Sequence, residues 1–440
     1  MKYERLRQMS IWSLTGLWFS CLVFSMTAMA DEVSVEITGS DRHQIKIAVP
    51  AFVPQSETSE VVNAELSPVL RNDLRISGFF DTLEEEYGQV AGLHNADVKA
   101  GSVQFSQWDE LGARLLVKGL YELNGTTLVI ECRVYDTLGG DFILGKRYES
   151  DTSHAREIMH RFADEIILKM TGERGMSSAK LLFTSDRNGG MELYQIDFDG
   201  NNMFQLTHDE SLIVTPAVSP DGTRVAYTSY IDNNPDLYVL SLETLKPERI
   251  AMFAGLNFSA DWAPDNQTLA VTLSKDGNPE LYLLDSFSQD IVRLTENSWN
   301  DLSPAWSPDG QEIVYTADNI GAPQLYIMEH SGQNVRRLTF SGSYNVSPAW
   351  SPTGEEIAFS SSMDGQFNIY TIQPNGDYLR QLTQDAGNNE EPAWSYDGRF
   401  LAFQSTRDGV SSIYVMNEDG SNQRRLTDGK GTDVFPAWIR

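Results

Sequence analysis

Hydrophobic positions recur along this chain in two rhythms. From residue 180 onward they come in runs of about four separated by polar turns, as in Ile313-Val314-Tyr315-Thr316 and Leu325-Tyr326-Ile327-Met328, followed by the more polar Arg336-Arg337-Leu338-Thr339. Short runs rich in β-branched and aromatic residues, bounded by Gly, Pro, Asn and Asp, predict β-strands. Each set follows a phrase read most fully at Pro304-Ala305-Trp306-Ser307-Pro308-Asp309-Gly310, and the phrase returns every 44 residues. Pro216, Ala260, Pro304, Pro348, Pro392 and Pro436 share one register, two places before Val218, Trp262, Trp306, Trp350, Trp394 and Trp438. Self-similarity at this period marks units that bury apolar faces against their neighbours. Every unit holds four strands: A around Pro-Ala-Trp, then B, C and D. B strands recur at Leu181, Val225, Leu269, Ile313, Ile357 and Leu401, which predicts a six-bladed β-propeller.

The two ends of the repeat are out of phase. Residues 180–207 supply B, C and D with no A before them, and Val434-Phe435-Pro436-Ala437-Trp438 supplies an A with no B after it. The last strand is therefore expected to complete the first blade and hide two sheet edges. The repeated residues have architectural jobs: each Trp wedges between blades, and Pro308-Asp309-Gly310 and its equivalents turn A into B.

The amino-terminal part follows a mixed rhythm. Ile45-Lys46-Ile47-Ala48-Val49-Pro50-Ala51-Phe52 reads as a core strand, and 57–77 as a helix interrupted at Pro68, with Ser67 capping its second segment. A strand at 79–83 and a short helix at 107–111 precede a three-stranded meander at 113–121, 126–135 and 142–149. Thr152 or Ser153 caps a helix running to Met170 that carries Ile158, Phe162, Ile166 and Ile167 on one face. This is a small α/β domain over 45–172, joined by a linker at 173–179 to the propeller at 180–440. His154 and His160 lie six apart, too far round the helix to act as paired metal ligands.

Residues 1–30 combine Lys2, Arg5 and Arg7, an apolar run over 11–24 and the small-residue pattern Ala28-Met29-Ala30, which reads as an export signal. Its removal also takes Glu4 and leaves a charge near −31, against −29 for the whole chain. Such a field opposes nucleic acid and anionic lipid. Of the two cysteines, Cys132 alone remains after cleavage, so stability rests on packing without a disulfide, and no transmembrane segment is expected in the mature chain. Residues 31–44 begin Asp31-Glu32-Val33-Ser34-Val35-Glu36-Ile37, apolar at every second position. They form either a terminal strand tucked into its own domain or an arm, carried by Glu32, Val33, Val35 and Ile37, that pairs with another chain.

Function is expected where the repeats differ. Strands A and C run opposite to B and D, so the D-to-A and B-to-C loops share one face. Nearest the axis, the D-to-A loops present Phe258, Trp299, Asn300, Asp301, Tyr344, Asn345, Asn389, Glu390, Glu391, Asp433 and Phe435. Aromatics beside amides and carboxylates at a concave mouth suit recognition of a polypeptide.

The order of export signal, α/β domain and ring of Pro-Ala-Trp-Ser-Pro-Asp-Gly units resembles the TolB family of the Tol-Pal system. The resemblance is carried further by Ile47-Ala48-Val49-Pro50-Ala51-Phe52, Leu74-Arg75-Ile76-Ser77-Gly78-Phe79-Phe80 and Phe435-Pro436-Ala437-Trp438. It implies a non-catalytic adaptor in the Gram-negative periplasm that serves envelope integrity and cell division. The arm would engage TolA of the inner membrane, and the propeller mouth would engage the peptidoglycan-associated lipoprotein Pal and, when exploited, colicins. The second unit departs from the pattern as Ala260-Asp261-Trp262-Ala263-Pro264-Asp265-Asn266.

Two other classes compete. A propeller hydrolase lacks a Gly-x-Ser-x-Gly elbow and a His-Glu-x-x-His pair, and the adjacent Glu390 and Glu391 do not set a glycosidase spacing. A carbohydrate- or cation-binding ring would use Asp301, Asp433 and Glu390 to draw a divalent ion such as calcium into the channel, the one cofactor the acidic axis admits.

Overall fold

Alternating apolar positions in the amino-terminal part pair into one mixed sheet. The computed structural model describes residues 44–55, 60–83, 103–319, 321–363, 365–384 and 387–439. The export signal, the arm residues Glu32, Val33, Val35 and Ile37, and the stretch 84–102 lie outside the described residues. Strands β1 (Ile45–Ala48), β2 (Val53–Pro54), β3 (Phe80–Thr82), β4 (Leu115–Asn124), β5 (Thr127–Asp136) and β6 (Phe142–Asp151) are ordered β3-β1-β4-β5-β6, with β2 on β4. β1 is parallel to β3 and β4, and β4, β5 and β6 form the antiparallel meander. Helices α1 (Glu60–Ile76) and α3 (Ala155–Thr171) cover one face with Leu66, Leu70, Leu74, Ile158, Phe162 and Ile166. The short α2 (Phe105–Glu110) puts Trp108 into a separate cluster with Ala48, Ala113 and Leu116.

Four local expectations are corrected. Pro50 splits the first strand in two. Pro68 does not break α1, because four side chains (Leu66, Val69, Leu70 and Leu74) are buried there. At about 1.5–3 kcal/mol each they outweigh the ~3 kcal/mol of an interior proline. Ser67 caps nothing: it donates to Pro50 O and accepts from Phe52 N, both at 3.0 Å, tying α1 to the sheet. At α3 the cap is Asp151, which accepts from Ser153 N and opens a 3₁₀ turn at Thr152–His154, and Gly172 ends the helix at φ 77°.

Residues 173–179 are packed rather than free. Ser177 and Ser178 N–H groups donate to Asp164 at 2.7 and 3.0 Å, and Met176 and Ala179 are buried in a propeller cluster.

The remaining strands form six four-stranded sheets. Blade 1 joins the inner strand Asp433–Ile439 to Lys180–Ser185, Glu192–Asp197 and Phe204–Gln205, in register Trp438↔Leu181 and Asp433↔Ser185. Blades 2 to 6 follow in sequence, with inner strands Ile213–Val218, Asn257–Trp262, Asp301–Trp306, Tyr344–Trp350 and Asn389–Trp394. Six apolar clusters each straddle two adjacent blades. Trp262, Trp306, Trp350, Trp394 and Trp438 sit in or against five of them, and Val218 packs against the sixth, between blades 1 and 2. Indole N–H groups reinforce two interfaces, from Trp262 to Ala217 O (3.1 Å) and from Trp438 to Ala393 O (3.0 Å).

Trp438 stands at the closure and touches both blade 6 and the linker cluster. Trp438→Ala should lower the unfolding free energy by roughly 3–5 kcal/mol in a urea titration. A loss within about 0.5 kcal/mol would mean that the closing strand contributes no more than a surface contact.

Candidate functional site

Each inner strand carries a bulge at the residue before its Pro-register position. Thr215, Ser259, Ser303, Ser347, Glu391 and Phe435 adopt φ between 47° and 55°, and the pairing with strand B shifts across each of them. A left-handed backbone at a non-glycine residue costs roughly 1–2 kcal/mol. The ring over-determines it: the Glu391 N–H donates to Ser360 Oγ (3.0 Å) and that of Phe435 to Gln404 Oε1 (3.2 Å), each on the neighbouring blade. All six line an axial channel of about 790 Å³, which runs past the Pro register to Pro220, Pro264, Pro308, Pro352 and Tyr396 at the turn end.

Of the residues expected at the mouth, Phe258, Glu391 and Phe435 line this channel, and Glu390 is half-buried beside it. Trp299 and Tyr344 are exposed on the rim, at 40% and 48%. Asn300 is half-buried and donates twice to Asp318, at 2.8 and 2.7 Å. Asp301, Asn345, Asn389 and Asp433 are not available to a partner: all are at most 1% exposed. They stand first or, for Asn345, second in the inner strands, with side chains turned into the blade. Asp301 accepts from Asn297 (2.7 Å), Asn345 donates to Gln324 (3.0 Å), and Asn389 accepts from Ser405 and Arg407 (both 2.8 Å). Asp433 takes Ser185 Oγ at 2.6 Å and Arg187 at 2.7 Å across the closure. A repeated signal in the sequence belongs to the same locks: the Leu-Thr ends of strands D. Thr207, Thr295, Thr339, Thr383 and Thr427 each accept the N–H of the second or, for Thr383, the third residue of strand C.

The rim is more apolar than its inner residues suggest. Leu212, Ile231, Met252, Phe340 and Val410 are exposed on loops of the same face as Trp299 and Tyr344, with Phe340 at 75%. The channel wall, in contrast, holds carboxyls in low-polarity surroundings. Burial pushes Glu391 up to about 7 despite its bond from Ser347 (2.7 Å). It pushes Asp261 up to about 6 despite the Trp306 N–H at 2.7 Å. These two belong to blades 6 and 3, on opposite sides of the ring. The departure in the second unit is thereby explained: Asp261 ties blade 3 to blade 4. Asn266 replaces the turn glycine at φ 60° and accepts from Asp221 N at 2.8 Å.

Of the three carboxylates expected to draw in a cation, Asp301 and Asp433 are committed to blade contacts, which leaves Glu390. Among the described residues the one trio of potential metal ligands lies elsewhere: His160, Asp197 and Asp199, within 4.8 Å of one another. Both Asp199 oxygens are occupied, by Asn201 N and by Arg156.

Comparison with known proteins agrees with this architecture. Residues 33–142 match the TolB amino-terminal domain, and residues 167–349 and 343–440 match the TolB beta propeller domain. The chain belongs to the TolB family. The Tol-Pal system protein TolB of Syntrophotalea carbinolica is 39% identical over 204 residues, 46% of each chain. That of Geobacter metallireducens is 41% identical over 192 residues, 43% of this chain and 44% of its own. The chain spans about half the length of the curated relatives it matches. The crystal structure of TolB from Acinetobacter baumannii has the same fold, with a TM-score of 0.75 at 24% identity over 90% of this chain and 96% of that one.

Two outcomes follow for this TolB chain. Asp433→Ala should cost about 3–5 kcal/mol of folding free energy by leaving Arg187 without its buried partner, whereas Tyr344→Ala on the rim should cost less than about 1 kcal/mol; urea titration of both variants separates the two roles. Glu391, whose folded pKa lies above its unfolded value, contributes stability below about pH 4 that is lost as pH rises through about 7. Glu391→Gln should therefore match the wild type near pH 4 and exceed it by about 1–3 kcal/mol at pH 8. Equal stability at both pH values would place the carboxyl in bulk-like water.

Proposed function

We propose that this chain is a non-catalytic periplasmic adaptor of the Tol-Pal system, receiving a Pal-like lipoprotein on the propeller rim and a TolA-like inner-membrane protein on the arm at residues 31–44. It thereby links the two membranes and supports outer-membrane integrity and cell division. The observation that carries the reading is the contrast within one face. Trp299, Phe340, Tyr344 and Met252 stand exposed on the loops of the mouth face while the polar residues beneath them are spent on holding the loops. A rigid aromatic rim over a locked base is the anatomy of a protein-binding hot spot. Colicins would exploit the same rim.

The carboxyls do not favour hydrolysis. Glu390 bonds Gln404 of its own blade and Glu391 reaches Ser347 of the next, so the pair does not close on one bond.

The test is calorimetric titration with the soluble domain of a peptidoglycan-associated lipoprotein. Trp299→Ala and Phe340→Ala should each weaken binding by about 2 kcal/mol, near 30-fold. Deleting residues 31–44 should leave that affinity intact and abolish capture of a TolA-like domain. Full affinity in both rim variants would remove the mouth from the interface, and TolA capture by the deleted chain would remove the arm.

A further inference from the structure

The surface between the α/β domain and the propeller contains one buried histidine. His160 on α3 is 4% exposed. Its Nδ1 lies 2.7 Å from Asp73 Oδ2 on α1, within its own domain. Its Nε2 faces the propeller, 3.7 Å from Asp197 Oδ2 at the end of the third strand of blade 1, and has no hydrogen-bond partner. Asp73 and Asp197 are themselves buried.

Other charges surround the ring from every side. Asp199, in the turn after that strand, pairs with Arg156 of α3 at 2.5 Å. Lys180 of blade 1 lies 3.8 Å from Asp197 Oδ1. Arg424 of blade 6 donates to Phe198 O at 2.6 Å, and Asp164 of α3 is held by the Ser177 and Ser178 N–H groups.

A neutral imidazole has one N–H and one lone pair. If its N–H serves Asp73, the lone pair of Nε2 points at the Asp197 carboxylate, and two acceptors face each other in a medium where that is costly. The imidazolium donates to both carboxylates and removes the conflict.

We propose that seating the α/β domain on the propeller takes up one proton, carried by His160 as an imidazolium shared between Asp73 and Asp197. Burial by itself would lower the ring's pKa, but the Asp197 carboxylate 3.7 Å away and the hydrogen bond to Asp73 prevail and raise it to about 9. Asp73 is raised to about 6 by burial, against the pull of His160, so above that pH it is the carboxylate the ring requires. An undocked histidine titrates near 6.5. The contribution of the contact is therefore fullest between about pH 6, where Asp73 ionises, and about pH 6.5, and declines as pH rises through about 9. The apolar contact of Ile76 and Met176 with blades 6 and 1 carries no titratable group, and Arg399 adds an ion pair with Glu173 at 3.3 Å. Deprotonation therefore opens a hinge rather than separating the domains.

The experiment uses the full chain with ¹⁵N-labelled histidine. At pH 7.5 both ring nitrogens of His160 should carry protons, with a titration midpoint near 9 that falls by at least one unit in Asp197→Asn. Small-angle scattering should give a constant radius of gyration between pH 6 and 8 and a larger one by pH 10. His160→Gln should show the larger radius already at pH 7. Should that variant fail to fold, Asp197→Asn on the propeller side provides the same comparison at pH 8. A neutral His160 ring at pH 7.5, or a radius unchanged to pH 10 in folded protein, overturns the proposal. So does a rise in melting temperature with zinc alone that His160→Gln abolishes, because the ring would then hold a metal instead of a proton.

Discussion

The pairing of Asp433–Ile439 with Lys180–Ser185 is the constraint on which the molecule depends. A row of sheets that touch only their neighbours ends in two open faces, each with an unpaired edge and an apolar surface. Bringing the last strand into the first blade converts five interfaces into six and gives every cluster a partner on both sides. The closure is built from unlike parts: Trp438 packs into blade 6, Ile439 packs toward blade 2, and Asp433 binds Arg187 and Ser185. Because the constraint is global, local strain is tolerated. Six non-glycine residues hold left-handed backbone around the channel, and their amides bond across blades in at least two cases.

That division of labour shapes the face on which function is placed. Buried Asn and Asp residues at the start of the inner strands, together with the threonines closing strands D, hold the loops from within. The surface above them can then vary without loss of the fold. What remains exposed is apolar and aromatic on a chain whose formal charge is −29. An acidic protein with an aromatic rim attracts partners by desolvating rings, while its long-range field disfavours polyanions.

The two domains meet over a surface that mixes permanent and titratable contacts. Ile76, Met176 and Ala179 extend a propeller core cluster, and the residues between the domains are fastened to Asp164. His160 adds a contact whose strength depends on a proton. An adaptor of the proposed kind would benefit from such a joint, since the angle between its ends would then be set by chemistry at one buried point and not by the whole interface.

The 44-residue period, the phase shift at its ends and the Pro-Ala-Trp register were enough to derive the blade count, the strand order and the closing strand, because each rests on local turn chemistry and on periodic burial that a single chain displays. The meander and the amphipathic α3 were legible for the same reason. Tertiary packing decided the rest. It carried α1 through Pro68, since long-range burial exceeded a local penalty, and it turned Ser67 from a cap into a tie to the sheet. Above all it sorted the mouth residues: Asp301, Asn345, Asn389 and Asp433 read as polar loop residues beside Trp299 and Tyr344, yet side-chain direction at a bulged strand, and hence exposure, depends on a neighbouring blade that no stretch of sequence contains.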